Sequence, residues 1–424
     1  MIAAEQTSTF PRYLDLMYPN VERGEGVWLY TADGRKILDA CSGGAMVSSL
    51  GHGAREIIAA GAEQAEKIAY FYMDHFTNEP QERLATELIE RAAPEMARVR
   101  FTSSGSEANE TALRLVRAYH VDRGEPDRWR VISPAQSYHG STMAALALTG
   151  RRRTLQEPFT PYLSPHLHIG RGDSALRELD TRLEEAGPDT VAAFFCEPIS
   201  GAALPAYSPS QEFWVGLAER REKHGFLICF DEVVTGIGRT GSWFAYHQLP
   251  IEPDIVTVGK GLGAGYAPIS ATLCKQSVYD AVDQGSRFFD LGHTWDGAPI
   301  SCATGVAVLD VLVRRMLVER VRERGPRLLE QLRTALRGNP LVAEVRGRGF
   351  LLGVEIVDAP DERHLNERIE AVALDHDLLI TTTHSNLDGY AGDEVVFAPA
   401  FTSTDQELES MVERLATTLR EVAA

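Results

Sequence analysis

Short apolar runs recur through the middle of the chain, and each ends in a polar or glycine-rich loop. RVRFTSSGSEAN, WRVISPA, TVAAFFCEP, FLICFDE and PDIVTVGK read as strands running into loops. Helix-spaced stretches such as EFWVGLAERREKHG lie between them. Alternation of this kind predicts a mostly parallel α/β sheet with helices on both faces. Such a sheet carries its ligands outside the carboxyl ends of its strands. The loops that follow the apolar runs are therefore where chemistry is expected.

Two of those loops bring reactive groups. Lys260 ends PDIVTVGK, and Asp231 with Glu232 ends FLICFDE. A lysine held in a dry pocket loses its charge and becomes a nucleophile able to form an imine with a carbonyl cofactor. An aspartate facing a ring nitrogen keeps that ring protonated and electron-withdrawing. A third loop, Ser103-Ser104-Gly105-Ser106-Glu107-Ala108-Asn109, opens a helix, and backbone N–H groups there make an anion site. An ordinary serine cap would read the same way. Tyr138, in SYHG after another strand, can stack on a planar ring. Taken singly, Lys260 could be a surface charge and Tyr138 a rim aromatic. Their order is more specific: phosphate loop, aromatic turn, acid and lysine each follow a separate strand. Pyridoxal 5'-phosphate, with a phosphate, a ring nitrogen and an aldehyde, meets all three demands.

Composition bounds the remaining possibilities. The chain has 424 residues, 44% hydrophobic and 24% charged, with a formal net charge of −18. The length predicts about two domains. The negative surplus argues against nucleic acid or an anionic membrane as partner. The five cysteines are sparse and form no C-x-x-C pair, which fits a reducing compartment. With no signal-peptide pattern and no run long enough to span a bilayer, the expectation is a cytoplasmic protein.

Near the N-terminus VWLY, a turn at Ala32-Asp33-Gly34 and KILDA read as a hairpin. Beyond about residue 305 the pattern becomes long helices, then the strands GRGFLLGVEIV and EVVFAPAF, then a closing helix. The expected organisation is residues 56–305 as a large domain. Residues 1–55 and 306–424, from the two chain ends, would form a smaller α+β domain.

The sequence resembles the class III (omega) aminotransferases, pyridoxal phosphate enzymes of fold type I. The resemblance runs from GVWLYTADGRKILD through SGSEAN, SYHG, EPI, FDEVVTGIGRTG, VTVGKGLGAGYAP and HTWDGAPISCA to GRGFLLGVE. It implies a seven-stranded type of central sheet. It also implies that Lys260 is the Schiff-base lysine and proton carrier, and that Asp231 pairs with the ring nitrogen. Val233 and Tyr138 would cover the two ring faces, and Gly105 and Ser106 would bind the phosphate. Thr294 matches a threonine that reaches the phosphate of a neighbouring subunit, so the resemblance implies a homodimer. Glu197 matches a glutamate that lines the pocket or pairs with a carboxylate-binding arginine. Met46 stands where many omega members have tryptophan, and Phe71, Tyr72, Asp74 and His75 are candidates for the entrance.

The pattern also breaks. Members acting on dicarboxylates or α-amino acids commonly carry an arginine in the C-terminal strand, where this chain has Val396 or its neighbour. Ser141 stands where some members have an arginine after SYHG, and Thr382 or Thr383, then His384, where amine–pyruvate members do. Arg151, Arg152 or Arg153 could substitute, or could form a solvated turn. The expected activity is therefore transfer of an amino group from an amine or amino compound to pyruvate or 2-oxoglutarate by a ping-pong route. A racemase, epimerase or decarboxylating relative keeps the same motifs. A regulatory protein with an aminotransferase-like sensor lacks support, since no DNA-binding segment or basic patch is evident.

Overall fold

The computed structural model describes residues 7–14, 16–150, 156–357, 365–383 and 393–424, together with a two-residue strand at Ile2–Ala3. Its centre is a seven-stranded sheet. The spatial order is Met96–Thr102, Ser270–Lys275, Ile255–Val258, Leu227–Asp231, Val191–Cys196, Arg130–Pro134 and Leu167–Ile169. The last five are mutually parallel. Ser270–Lys275 is antiparallel to both its neighbours. Met96–Thr102 is thereby turned back into the common direction. Six strands deliver their carboxyl ends to one edge.

The apolar runs form central strands because both faces are covered. Side chains alternate along each strand. Phe194, Ile228 and Phe230 face one way and pack with Trp214 of the Gln211–His224 helix. The Trp214 and Phe230 rings meet edge-on at 5.6 Å. Phe195, Leu227 and Cys229 face the other way, against Ala112 and Val116 of the Gly105–Asp122 helix.

Two strands are not evident in the hydrophobic pattern. Ser270–Lys275 mixes serine, threonine and lysine with apolar residues, yet is buried throughout. Its Thr272 hydroxyl donates to the Ala108 carbonyl at 2.8 Å, which meets the cost of burial. Leu167–Ile169 has only 3 residues, too few to show a period.

The chain ends meet. Val21–Glu25, Trp28–Thr31 and Lys36–Asp39 form an antiparallel meander. Leu378–Leu379 joins it in parallel, with Leu378 opposite Leu38. A second sheet contains Val342–Arg348, Leu351–Ile356, Glu394–Phe397 and Thr381–Thr382. The expected junctions at 55/56 and 305/306 fall at the start of the Arg55–Lys67 helix and inside the Pro299–Arg314 helix. Among the described residues, no helix is long and apolar enough to cross a membrane.

Candidate active site

The loop after Met96–Thr102 starts the Gly105–Asp122 helix. Ser104 caps it, its hydroxyl accepting from the Glu107 N–H at 3.3 Å. The next N–H groups, at Gly105 and Ser106, have no partner within the helix. Glycine is needed here for close approach: a Cβ on Gly105 would lie 2.7 Å from Val233 Cγ1. A Cβ on Gly259 would lie 3.4 Å from the same methyl. Ser106 Oγ accepts from the Ser141 N–H at 3.1 Å. Gly105, Ser106, Val233, the SYHG turn and the residue before Lys260 thus converge. Gly105→Ala should displace Val233, at a cost of about 1–3 kcal/mol. Titration of the apoenzyme should show the dissociation constant for pyridoxal phosphate raised about tenfold or more.

Asp231 ends its strand with its side chain buried. Oδ2 accepts from Asn109 Nδ2 at 2.8 Å and from His139 Nδ1 at 2.9 Å. Oδ1 accepts from the Val233 N–H at 3.0 Å. Asn109 also donates to the His139 carbonyl at 2.6 Å and accepts from Thr257 Oγ1 at 2.7 Å. The His139 ring lies edge-on to Phe195 at 5.0 Å, and its Nε2 is buried without a hydrogen-bond partner. Since Asp231 accepts, Nδ1 carries the proton. Asn109 and His139 lie inside SGSEAN and SYHG, but sequence reasoning gave neither a role. The available signal was their position, on an inward helix face and beside Tyr138.

Lys260 follows Gly259 with a φ of 40°, a strained backbone for a non-glycine residue and one often found at functional sites. It is half-buried, and among the described residues no hydrogen bond or ion pair holds its amine. The surrounding protein pushes its pKa below the usual lysine value. The negative charges of Asp231 and Glu197 oppose that shift without cancelling it. The outcome favours a neutral amine.

Glu197 follows the Val191–Cys196 strand. Oε1 accepts from the Gly201 N–H at 2.8 Å, and Oε2 from the Tyr138 N–H at 3.3 Å and Ser200 Oγ at 3.4 Å. Burial raises its pKa above the usual carboxylate range; Asp231 adds to this, while His139 and the backbone donors oppose it. No arginine among the described residues pairs with it. Tyr138 itself remains 38% exposed.

Other candidates sit apart. Thr294 is exposed. Its loop is tied back by an Asp296–Arg100 ion pair and by the Phe101 N–H, which donates to Asp296 at 3.2 Å. Tyr72 is exposed, donating to Asp74 at 2.7 Å and meeting His75 edge-on. Met46 is buried in a left-handed turn and packs in one apolar cluster with Ile199, Leu351 and Val396. Arg151, Arg152, Arg153 and His384 lie outside the described residues.

A helix start, a glycine-walled slot, a partly exposed aromatic, a buried carboxylate and an unpaired amine fit a phosphorylated aromatic aldehyde. The sequence profile described as aminotransferase class-III matches residues 10–419. The chain belongs to this family. Class III aminotransferases depend on pyridoxal phosphate, and this one is an aminotransferase that transfers amino groups. An uncharacterized aminotransferase of Schizosaccharomyces pombe is 34% identical over 96% of this chain and 93% of its own. A diaminobutyrate–2-oxoglutarate transaminase of Halomonas elongata is 34% identical over 92% of this chain and 88% of its own. Among solved structures, an amine transaminase from an uncultivated Pseudomonas species, in its pyridoxal phosphate-bound internal aldimine form, superposes with a TM-score of 0.89. It is 30% identical, with 98% of this chain and 97% of that chain covered.

Proposed function

We propose that this aminotransferase takes its amino group from an amine, or from an amino compound whose amino group lies away from any carboxylate. It passes the group to pyruvate or 2-oxoglutarate in two half-reactions at one site. One observation carries the choice of donor: the position where a carboxylate-binding arginine would stand is Val396 or its neighbour, and Val395, Val396 and Phe397 are all buried apolar residues, Val396 in one cluster with Met46. Arg239 is buried and its charge acts on Lys260, but three hydrogen bonds hold its guanidinium within the core. They go to Phe350 O at 3.2 Å, Pro399 O at 2.6 Å and Ser42 Oγ at 3.1 Å. The names of the Pseudomonas and Halomonas relatives support an amine donor and 2-oxoglutarate as acceptor.

When bound, pyridoxal phosphate supplies an aldehyde that captures the amine and a ring that takes up the electron pair left on carbon. The N–H groups of Gly105 and Ser106 would bind the phosphate, and Val233 and Tyr138 would flank the ring. Asp231 would accept the ring N–H, and His139 and Asn109 hold that carboxylate in place. The Lys260 amine removes the proton from the donor carbon as base and returns it as acid. The donor carbon is oxidised from amine to carbonyl and the acceptor carbonyl is reduced to amine. Water enters in the first half and leaves in the second, so no outside oxidant is needed.

We also propose a homodimer in which Thr294 serves the partner's phosphate. Thr294 faces outward beside Trp295, which is 55% exposed and packs edge-on to the exposed Tyr70. Exposed aromatic surface of this kind fits an interface. Five buried, unpaired cysteines support a cytoplasmic setting. The test is a spectroscopic half-reaction screen of amines, diamines, amino sugars and amino acids. Pyruvate and 2-oxoglutarate serve as acceptors. Amines that convert the cofactor, with either keto acid restoring it, support the reading. Conversion by α-amino acids alone would overturn it.

A further inference from the structure

Thr294 is exposed, yet the loop that carries it is fixed to the elements that frame the proposed phosphate cradle. The Arg100 guanidinium, on the Met96–Thr102 strand, donates to the Leu291 carbonyl at 2.6 Å and pairs with Asp296. Between those two anchors stands His293. Its Nδ1 accepts from the Trp295 N–H at 3.2 Å, so the ring proton sits on Nε2. Nε2 meets Glu107 Oε1 at 3.1 Å. One imidazole thus closes a turn around Thr294 and ties it to the first turn of the Gly105–Asp122 helix. Glu107 is the anchor on the cradle side. Its Oε2 accepts from the Ser103 N–H at 3.0 Å, and its own N–H donates to Ser104 Oγ at 3.3 Å. Burial opposes its charge, but the His293 ring and the loop donors outweigh burial and hold its pKa below the usual carboxylate range. The Ser103 N–H and the Ser104 hydroxyl are engaged within the loop, which leaves the N–H groups of Gly105 and Ser106 for an anion.

We propose that His293 is a positioning residue for the cofactor: anchored on Glu107, it sets Thr294 in register with the phosphate cradle, so that the Thr294 hydroxyl reaches the phosphate held by the partner subunit. This deepens the shared-site homodimer proposed above and rests on it. An ion pair at a partly exposed site is ordinarily worth little. This one engages a ring whose other nitrogen is bonded to the residue after Thr294, so its effect falls on the placing of one hydroxyl. That hydroxyl would donate to a phosphate oxygen, a charge-assisted bond that weakens steeply with misalignment. His293 itself touches no cofactor atom in this arrangement. By two-fold symmetry, each chain joins its own cradle to the hydroxyl that it lends.

The test titrates the full-length protein, stripped of cofactor, with pyridoxal phosphate and with pyridoxal, which lacks the phosphate. Binding is read by absorbance. The quantity is the ratio of the two dissociation constants, pyridoxal over pyridoxal phosphate. A general loosening of the pocket weakens both ligands and cancels in that ratio. Thr294→Val should lower it by about tenfold, the lower end for one hydrogen bond to a charged group. His293→Ala should lower it by about three- to tenfold, since a displaced donor keeps only part of that bond. His293→Gln, whose amide N–H can stand in for Nε2–H against Glu107, should recover most of the ratio. In the Thr294→Val background, His293→Ala should have no further effect. A ratio unchanged in His293→Ala, or lowered as much in the Thr294→Val background as in wild type, would overturn the proposal. If His293→Ala does not fold, His293→Gln decides: a ratio as low as that of Thr294→Val counts against the Glu107 anchor, and a ratio near wild type supports it. If Thr294→Val itself leaves the ratio unchanged, the shared-site reading fails first and this proposal with it.

Discussion

Lys260→Ala should lose turnover on the order of 10⁴-fold, the upper end of what a positioned acid–base group contributes. In the proposed mechanism the lysine does two things. It must be neutral to take the proton from the donor carbon, and it must then return that proton. Burial favours the neutral amine, and among the described residues no hydrogen bond or ion pair holds the nitrogen. Other lysines offer little compensation. The chain has five, Lys36, Lys67, Lys223, Lys260 and Lys275. Lys36 lies over the Trp28 ring at 4.0 Å, and Lys275 pairs with Glu95 at 2.7 Å. Single-turnover measurement with a reactive amine separates this loss from cofactor loss, since the phosphate cradle proposed at Gly105 and Ser106 is untouched. Turnover within tenfold of wild type would remove Lys260 from the chemistry.

Asp231→Asn should slow the donor half-reaction by about 10²–10³-fold, the usual consequence of deleting one preorganised electrostatic contact. Three donors converge on this carboxylate: Asn109 Nδ2, His139 Nδ1 and the Val233 N–H. An amide offers one acceptor oxygen and an NH₂ that must face one of those donors. The variant therefore loses the charge proposed to hold a proton on the ring nitrogen and gains a buried donor–donor conflict. The conflict should also reduce stability by about 1–3 kcal/mol. The two effects are separable. Thermal denaturation reads the second, and the rate with saturating cofactor and donor reads the first. A variant that is destabilised but reacts at near-normal rate would make Asp231 a structural residue.

Much of this site was legible in the sequence because strand ends share an edge. Asp231 and Lys260 each end an apolar run, and parallel pairing of Leu227–Asp231 with Ile255–Val258 sets Asp231 opposite Thr257. The loop proposed to hold the phosphate arrives beside them only because Ser270–Lys275 runs antiparallel between Met96–Thr102 and Ile255–Val258. That strand carries no clean apolar pattern, so its insertion could not be read locally. The support given to Asp231 was also hidden. Asn109 and His139 acquire their role by meeting across 30 residues of chain, a contact no local spacing encodes. Met46 shows the opposite case: its position in the sequence marks a pocket, while its left-handed backbone turns it into the packing around Val396. Glu197 was marked only by the family resemblance, and that no cationic side chain among the described residues pairs with it emerged only from the packing.

Borohydride reduction of the holoenzyme, followed by mass analysis of its peptides, tests directly whether pyridoxal phosphate is held at Lys260. The expected result is a phosphopyridoxyl mass on the peptide containing Lys260 and on no other. That adduct should be absent from Lys260→Ala. Reduction that labels Lys36, Lys67, Lys223 or Lys275 instead, or that leaves every lysine unmodified while pyridoxal phosphate is bound, would contradict it.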